Sequence, residues 1–182
     1  IGIIDYHNPD AAVTIPAPTV TGSGPGEIEL EILVENMGRV NFGPHMLDRK
    51  GISGSVLLDG RELTDWTIFP LPLDDVSQLR FETAAGPQPL SFFRSTFHVT
   101  SPLDTFLALP GFTKGVAWVN NFNLGRYWSI GPQQTLYVPA AVLREGGNEL
   151  VVLELDGGSS LEVELRDTPQ LETKLEESCA LL

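Results

Sequence analysis

The stretch that decides the fold is residues 111–139, which reads GFTKGVAWVNNFNLGRYWSIGPQQTLYVP. Its first part, Gly115–Asn120, is predicted to be a strand, in which Val116 and Trp118 share one face and Ala117 and Val119 the other. Asn120–Asn123 predicts a tight reversal, because Asn tolerates the left-handed conformation for which Gly is the usual residue. The segment that follows, around Gly125, is predicted to be glycine-hinged and irregular, and Thr135–Val138 predicts a second strand. The stretch therefore indicates short strands joined by tight turns.

Strand patterns continue on both sides of this stretch. Glu27–Val34 alternates acidic and apolar residues, which predicts a half-buried strand, whereas the continuous apolar run in Glu149–Leu155 predicts a strand covered on both faces. Pro139–Leu143 predicts one short helical turn. Other strand candidates, separated by Gly- and Pro-rich turns, are Ser55–Leu58, Leu63–Phe69, Leu90–Thr100, Thr105–Leu109 and Ser160–Leu165. The interpretation is an all-β sandwich of jelly-roll or related topology.

Composition narrows the classes of partner. The chain has 182 residues, of which 42% are hydrophobic and 19% charged, and its net charge is −13. That charge disfavours nucleic acid and anionic membrane surfaces, whose binding depends on Lys and Arg. A neutral sugar is not disfavoured. A (β/α)₈ barrel needs about 250 residues and does not fit this length.

The cysteine, the histidines and the C-terminal residues give little information about function. The single Cys179 excludes an internal disulfide, and no apolar run reaches the ~18 residues of a membrane span. His7, His45 and His98 lack metal-ligand spacing, so we expect no metal and no cofactor. The final four residues, 179–182, fit a prenylation pattern, but Glu176 and Glu177 replace the usual basic residues, which favours coincidence over a prenylated interaction protein. The sequence leaves the compartment open.

Three blocks of sequence carry a resemblance to a known family. Residues 111–139 resemble the C-terminal signature of glycoside hydrolase family 35, the β-galactosidases, with Asn121 in place of the family's Gly. Residues 35–43, ENMGRVNFG, resemble the segment that closes the family's first β-domain, and residues 63–70, LTDWTIFP, resemble the segment that enters its second. The resemblance covers roughly Ile28 to Asp156.

The resemblance implies a division into domains. Residues 1–43 would be trailing strands of a first β-domain, residues 44–168 a second, galactose-binding-domain-like jelly roll, and residues 169–182 a C-terminal tail. The family hydrolyses terminal β-galactosides with two glutamates that lie in an N-terminal (β/α)₈ barrel. No part of this sequence matches that barrel, so no catalytic residue is assigned. Together with the start at Ile1 without Met, this predicts a processed or partial chain.

The expected role is to buttress the catalytic barrel of the same parent protein and to shape the rim of its active site. The candidate carbohydrate-binding or inter-domain residues are Asn123, Arg126, Tyr127 and Trp128. For the two aromatic residues, packing against another domain, stacking on a sugar and local core packing all remain open. For Asn123 and Arg126 the alternatives are a self-satisfied turn and an ion pair. A free-standing carbohydrate-binding module or lectin is the alternative function.

The strand predicted at Glu27–Val34 has a consequence for solution behaviour. If no neighbouring strand pairs with it, its edge is open to other chains. We therefore expect the isolated chain to associate.

Overall fold

The computed structural model describes residues 2–4, 12–14, 29–82 and 86–171. The chain divides into two compact units, Ile1–Leu71 and Pro72–Leu182, each described by itself below. The division predicted from sequence, with boundaries after residues 43 and 168, stays a prediction. Most of the predicted tail lies outside the described residues.

The first unit has little regular structure in its described part. A 3₁₀ helix spans Pro44–Leu47, and a two-residue turn joins the short antiparallel strands β1 (Leu57–Leu58) and β2 (Arg61–Glu62). Both turn residues, Asp59 and Gly60, have positive φ, 49° and 78°, as a type I′ hairpin requires. No hydrophobic side chain among residues 29–71 is buried.

Two predicted strands are not formed in this unit. Residues 29–34 have no strand ladder, because an alternating pattern makes a strand only where another strand supplies hydrogen bonds; residues 27–28 lie outside the described part. Leu63–Phe69 is also not a strand. Asp65 within it has φ 60°, a left-handed conformation that interrupts extended backbone.

The second unit is a sandwich of two antiparallel sheets. The strands are β3 (Ser91–Val99), β4 (Thr105–Ala108), β5 (Lys114–Val119), β6 (Phe122–Trp128), β7 (Thr135–Val138), β8 (Gly146–Glu154) and β9 (Glu164–Arg166). The first sheet has the order β3-β8-β5-β6 and the second the order β7-β4-β9. The predicted all-β sandwich is therefore confirmed, as is the helical turn, a 3₁₀ helix at Ala140–Val142.

The main core lies between the two sheets. Its buried members alternate along the strands with residues of the opposite face, and include Leu107, Ala117, Val119, Leu136, Val138, Leu150 and Val152. Because β8 contributes Leu150 and Val152 to this core and Val151 to the outer face, the strand predicted to be covered on both faces is confirmed.

A second cluster covers the outer face of the larger sheet. Trp118, 1% exposed, and Val151 pack against Val76 from the segment that precedes β3. Asn121 fastens this segment, because its side-chain oxygen accepts a hydrogen bond of 2.9 Å from the Val76 N–H. The part of the outer face around Trp118 and Val151 is thereby covered by the chain's own residues.

The turn predicted in residues 120–123 is formed by Asn120 and Asn121, with φ 51° and 66°. The segment that follows was predicted to be hinged and irregular, and this prediction was wrong. It forms β6, which pairs with β5 along its length and absorbs Gly125, φ 107°, through a register shift between Ala117 and Trp118. A β-bulge of this kind lets a strand continue past a residue that would otherwise break the ladder.

Candidate functional site

All four residues predicted as a site lie on β6, but the pairing with β5 divides them between two faces. Arg126 pairs with Val116 and Trp128 with Lys114, whereas Tyr127 pairs with Gly115. Since directly opposed residues share a face, Arg126 and Trp128 lie on the outer face, where Val116 packs. Tyr127 lies on the inner face and belongs to the main core.

Asn123 shapes the bend in β6. It is exposed, pairs with Trp118, and its side-chain oxygen accepts a hydrogen bond of 2.7 Å from the Gly125 N–H. This bond spans the residues at which the register shifts. The side chain thus satisfies local backbone, as Asn commonly does in turns.

Trp128 is half-buried and carries a cation on its ring. The Lys114 ammonium nitrogen lies 4.7 Å from the Trp128 ring centroid. An exposed cation–π contact of this kind contributes about 0.5–1 kcal/mol. The exposed Arg126 lies on the same face, two residues before Trp128 on β6.

Tyr127 is a core residue with a polar anchor. It is 8% exposed, and its ring meets Phe112 edge to face at 6.1 Å. Its hydroxyl lies 2.9 Å from the Leu153 carbonyl oxygen and 3.0 Å from Oε2 of Glu154. Burial first, and then the neighbouring Glu154 carboxylate, raise the pKa of the Tyr127 hydroxyl strongly, so it stays protonated and donates. Little of its ring face is open to a ligand.

Glu154 is the group that organises this end of the sandwich, and sequence reasoning did not single it out. It is 0% exposed. Besides the Tyr127 hydroxyl, it accepts hydrogen bonds from four backbone N–H groups, those of Thr113, Lys114, Asp156 and Gly157, at 2.9, 3.3, 3.0 and 3.0 Å. The sequence did hold one indication, a glutamate at the end of a strand predicted to be buried on both faces.

Gly115 makes the contact between Tyr127 and Glu154 possible. It pairs with Tyr127 on β6 and with Glu154 on β8, so it lies between them in the sheet. A Cβ at this position would lie 1.7 Å from the Leu153 carbonyl oxygen and 2.7 Å from the Tyr127 hydroxyl. Only a residue without a side chain leaves the space that the tyrosine hydroxyl crosses.

A small pocket of about 150 Å³ opens beside Trp128 and Tyr127. Polar side chains line it, among them Gln133, Gln134, Arg166 and Gln170. Pockets that take drug-sized ligands measure about 300–1,000 Å³, so this one has room for little more than one sugar ring.

Internal hydrogen bonds fix the polar lining of the pocket. The Gln133 amide nitrogen donates to the Thr135 carbonyl oxygen at 3.0 Å, and the Gln134 amide nitrogen donates to the Ser129 carbonyl oxygen at 3.1 Å. The Arg166 guanidinium is paired with the Glu164 carboxylate at 2.6 Å. The pocket is therefore preformed, with its amide groups held in place.

Neither a metal-binding cluster of side chains nor a membrane-spanning helix is present in the part of the chain that the structure describes. No group of three or more His, Cys, Asp or Glu side chains there could hold a metal ion. Within the same residues, no helix has the length and apolarity that crossing a membrane requires.

Each half of the chain matches a known protein-family model. Residues 14–72 match the family model described as "Beta-galactosidase, first all-beta domain", and residues 90–148 match "Beta-galactosidase, galactose-binding domain". These two matches follow each other in the order that the sequence blocks predicted.

Individual relatives agree with the family models. Beta-galactosidase 17 of Arabidopsis thaliana is 43% identical over 168 residues, covering 81% of this chain and 22% of that protein. The Bos taurus β-galactosidase is 39% identical over 185 residues, which cover 85% of this chain and 28% of that protein. The Xanthomonas manihotis β-galactosidase is 46% identical over 114 residues, which cover 62% of this chain and 19% of that protein. The chain thus spans about a quarter of the length of these relatives. With both of its halves matched to domains of these enzymes, the chain belongs to the β-galactosidase family and carries part of that family's β-domain region.

Proposed function

We propose that this chain is a non-catalytic support of a β-galactosidase: it packs against the catalytic barrel of the same parent protein, which hydrolyses terminal β-galactosides, and shapes the rim of the active site. The observation that carries the proposal is the ordered match of both halves to β-domains of that family. The matched relatives are about four times longer than the matched region.

The chemistry of Glu154 supports a structural role for the buried carboxylate. A retaining glycosidase needs two carboxyl groups about 5–5.5 Å apart, with one free to attack the sugar. Glu154 is fully buried, and both of its oxygens accept hydrogen bonds from backbone N–H groups. Such a carboxylate has no access to a substrate.

The first unit supports contact with other domains. Phe42 and Ile68 are each 86% exposed and Phe69 is 78% exposed. Ile68 and Phe69 are adjacent in the chain, and exposed apolar surface that is contiguous marks interaction sites in soluble proteins. We infer that in the parent enzyme these side chains pack against the barrel.

Two measurements test this proposal. The chain alone, assayed with an aryl β-galactoside, should show no turnover, and turnover above buffer would refute the non-catalytic role. In the parent enzyme, Ile68→Ser and Phe69→Ser should lower the melting temperature of the whole protein. The matched control is Leu103→Ser, which changes a 69% exposed leucine of the second unit and should leave it unchanged.

A saccharide-binding role for the pocket beside Trp128 is the second candidate function. The specific observation in its favour is an indole ring next to amide and guanidinium groups that internal hydrogen bonds hold in place. Calorimetric titration with galactose and lactose distinguishes the two functions. A purely supporting role gives no heat, whereas millimolar or tighter binding that Trp128→Ala abolishes and Trp66→Ala preserves would establish the pocket as a sugar site.

A further inference from the structure

The tripeptide Leu-Asp-Gly occurs twice in the sequence, at Leu58–Gly60 and Leu155–Gly157, and the chain has no other Asp-Gly and no Asn-Gly. In an Asp-Gly pair the glycine nitrogen can attack the aspartate carboxyl carbon and close a five-membered ring, and the missing Cβ of glycine leaves the approach open. The attack requires a backbone N–H without a competing hydrogen bond and a carboxyl group that is free to rotate. The two copies differ in both respects.

The copy in the first unit is open to the reaction. Asp59 and Gly60 are both exposed and form the turn between β1 and β2. Among the described residues, neither the Asp59 carboxyl nor the Gly60 N–H has a hydrogen-bond partner. A Cβ added at Gly60 would meet no atom within 4 Å beyond its chain neighbours. Open space therefore surrounds the nitrogen that would attack.

The hairpin that carries this turn is short. Each strand has two residues, and all four are exposed; the Leu63 N–H, which donates to the Val56 carbonyl oxygen at 2.9 Å, extends the ladder by one step. An isolated two-stranded hairpin is at best marginally stable, and segments with few buried contacts open at little cost in free energy. Asp59 also has a φ of 49°, a left-handed conformation that is unfavourable for a residue with a Cβ. The turn therefore opens readily and lets Asp59 rotate.

The copy in the second unit is held in place. The N–H groups of Asp156 and Gly157 each donate to Oε1 of the buried Glu154 at 3.0 Å. The Gly157 carbonyl oxygen accepts a hydrogen bond of 2.6 Å from the Thr113 hydroxyl, and a Cβ at Gly157 would lie 3.2 Å from Cδ of Pro89. The Gly157 nitrogen must leave a buried carboxylate before it can attack.

We infer that Asp59 is a site of isoaspartate formation in this chain and that the fold protects Asp156 from the same reaction. The Gly60 nitrogen bonds to the carboxyl carbon of Asp59, and one water leaves, made of the carboxyl hydroxyl and the hydrogen of the nitrogen. Water then opens the resulting succinimide ring. Cleavage of the new C–N bond restores aspartate, whereas cleavage of the original peptide bond leaves the chain running through the side-chain carbonyl. The net change is an isomerisation that needs no further reactant.

The modification has a structural consequence for the first unit. Isoaspartate adds one methylene group to the backbone between β1 and β2, and the two-residue turn with two positive φ angles no longer fits the strands that it joins. We therefore expect the pairing of β1 with β2 to be lost in the modified chain. This inference does not depend on the proposed function.

Incubation of the purified chain, native and in concentrated urea, tests the inference at both sites in one sample. Peptide mapping separates the isoaspartyl peptide from the aspartyl peptide of equal mass by retention time. In the native chain Asp59 should react about tenfold faster than Asp156 or more, since tenfold corresponds to about 1.4 kcal/mol and one hydrogen bond to a charged group contributes that much. In urea the two rates should become equal, because both aspartates lie in the same tripeptide.

Two pairs of variants add a readout by mass. Asp59→Asn creates Asn-Gly, which suits this turn, and its ring closure releases ammonia and changes the mass of the peptide; Asp156→Asn is the matched control and should stay unchanged in the native chain. Asp59→Ser has no carboxyl group and should give no isoaspartate in the first unit, whereas Asp65→Ser should react at Asp59 as the wild type does. Equal native rates at the two sites, a native Asp59 that stays unmodified while it reacts in urea, or a difference between the sites that persists in urea would each overturn the inference.

Discussion

The substitution Glu154→Gln tests the hydrogen-bond arrangement that holds one end of the sandwich. The wild-type carboxylate accepts five hydrogen bonds, four of them from backbone N–H groups. A glutamine has one oxygen and one NH₂ group in the same space. When the NH₂ group takes the place of Oε2, it faces Tyr127, whose hydroxyl then donates to the Leu153 carbonyl oxygen. The Thr113 N–H, which donates to the same Oε2 in the wild type, loses its acceptor.

The expected cost follows from two parts. An orphaned buried donor costs about 1–3 kcal/mol, and the three bonds that remain change from charge-assisted to neutral, which weakens each by about 1 kcal/mol. Allowing for relaxation, we expect a loss of about 3–4 kcal/mol in the free energy of unfolding, out of a typical total of about 5–15 kcal/mol. For a unit of this size the melting temperature should fall by about 13–17 °C.

Denaturant unfolding followed by tryptophan fluorescence measures this loss, with the exposed Glu145→Gln as the matched control. Glu154→Leu replaces the carboxylate with an apolar side chain and removes every acceptor, so it should cost more than Glu154→Gln. The reasoning fails if Glu154→Gln unfolds within about 0.5 kcal/mol of the wild type, the scatter of ordinary surface substitutions. It also fails if the leucine variant is the more stable of the two, because burial rather than hydrogen bonding would then dominate.

Three further predictions concern the same unit. Gly115→Ala should lower the free energy of unfolding by about 3 kcal/mol or more, because the added Cβ would overlap the Leu153 carbonyl oxygen. The control is Gly147→Ala, where an added Cβ meets nothing within 4 Å. Equal melting temperatures for the two variants would contradict the steric argument. The pKa of Tyr127 is raised in the folded state, so the free energy of unfolding of the wild type should fall above pH ~10, where the tyrosine of the unfolded chain ionises. The decrease should be at most about 1.4 kcal/mol per pH unit. Tyr127→Phe should make this decrease smaller, and wild-type and variant stabilities that fall in parallel at alkaline pH would contradict the prediction. The hydrogen bond from the Ala140 N–H lowers the pKa of Asp104. The ionised Asp104 therefore stabilises the fold above the pKa that it has in the unfolded chain, and this stabilisation is lost as the pH falls through its pKa in the folded state. Asp104→Asn should have a lower melting temperature than the wild type at neutral pH and the same one at acid pH, and a difference that persists in acid would refute this origin.

Much of the second unit could be predicted from sequence because its information is local. β3, β4, β5 and β7 begin and end within a residue or two of the predicted bounds, and the Asn120–Asn121 turn follows from the tolerance of Asn for positive φ. The first unit was predicted less well. Alternation in residues 29–34 and β-prone residues in 63–69 describe what a strand needs from its side chains but not whether a partner strand is present.

The candidate site shows the same limit. The stretch at 123–128 was correctly placed next to the turn, but only the pairing with β5 revealed that Tyr127 belongs to the core whereas Arg126 and Trp128 share the outer face. The roles of these residues in binding sugar or another domain stay predictions. Glu154 was missed because its partners come from three separate parts of the chain, and a sequence does not show which distant N–H groups converge on one carboxylate.

The sequence by itself determined the all-β class, most strands of the second unit, the Asn120–Asn121 turn and the family, because periodicity, turn residues and motif order are properties of neighbouring residues. Tertiary structure alone decided which face each side chain occupies and which backbone groups the buried carboxylate satisfies. These depend on contacts between residues far apart in the chain, formed only when register and sheet packing bring them together.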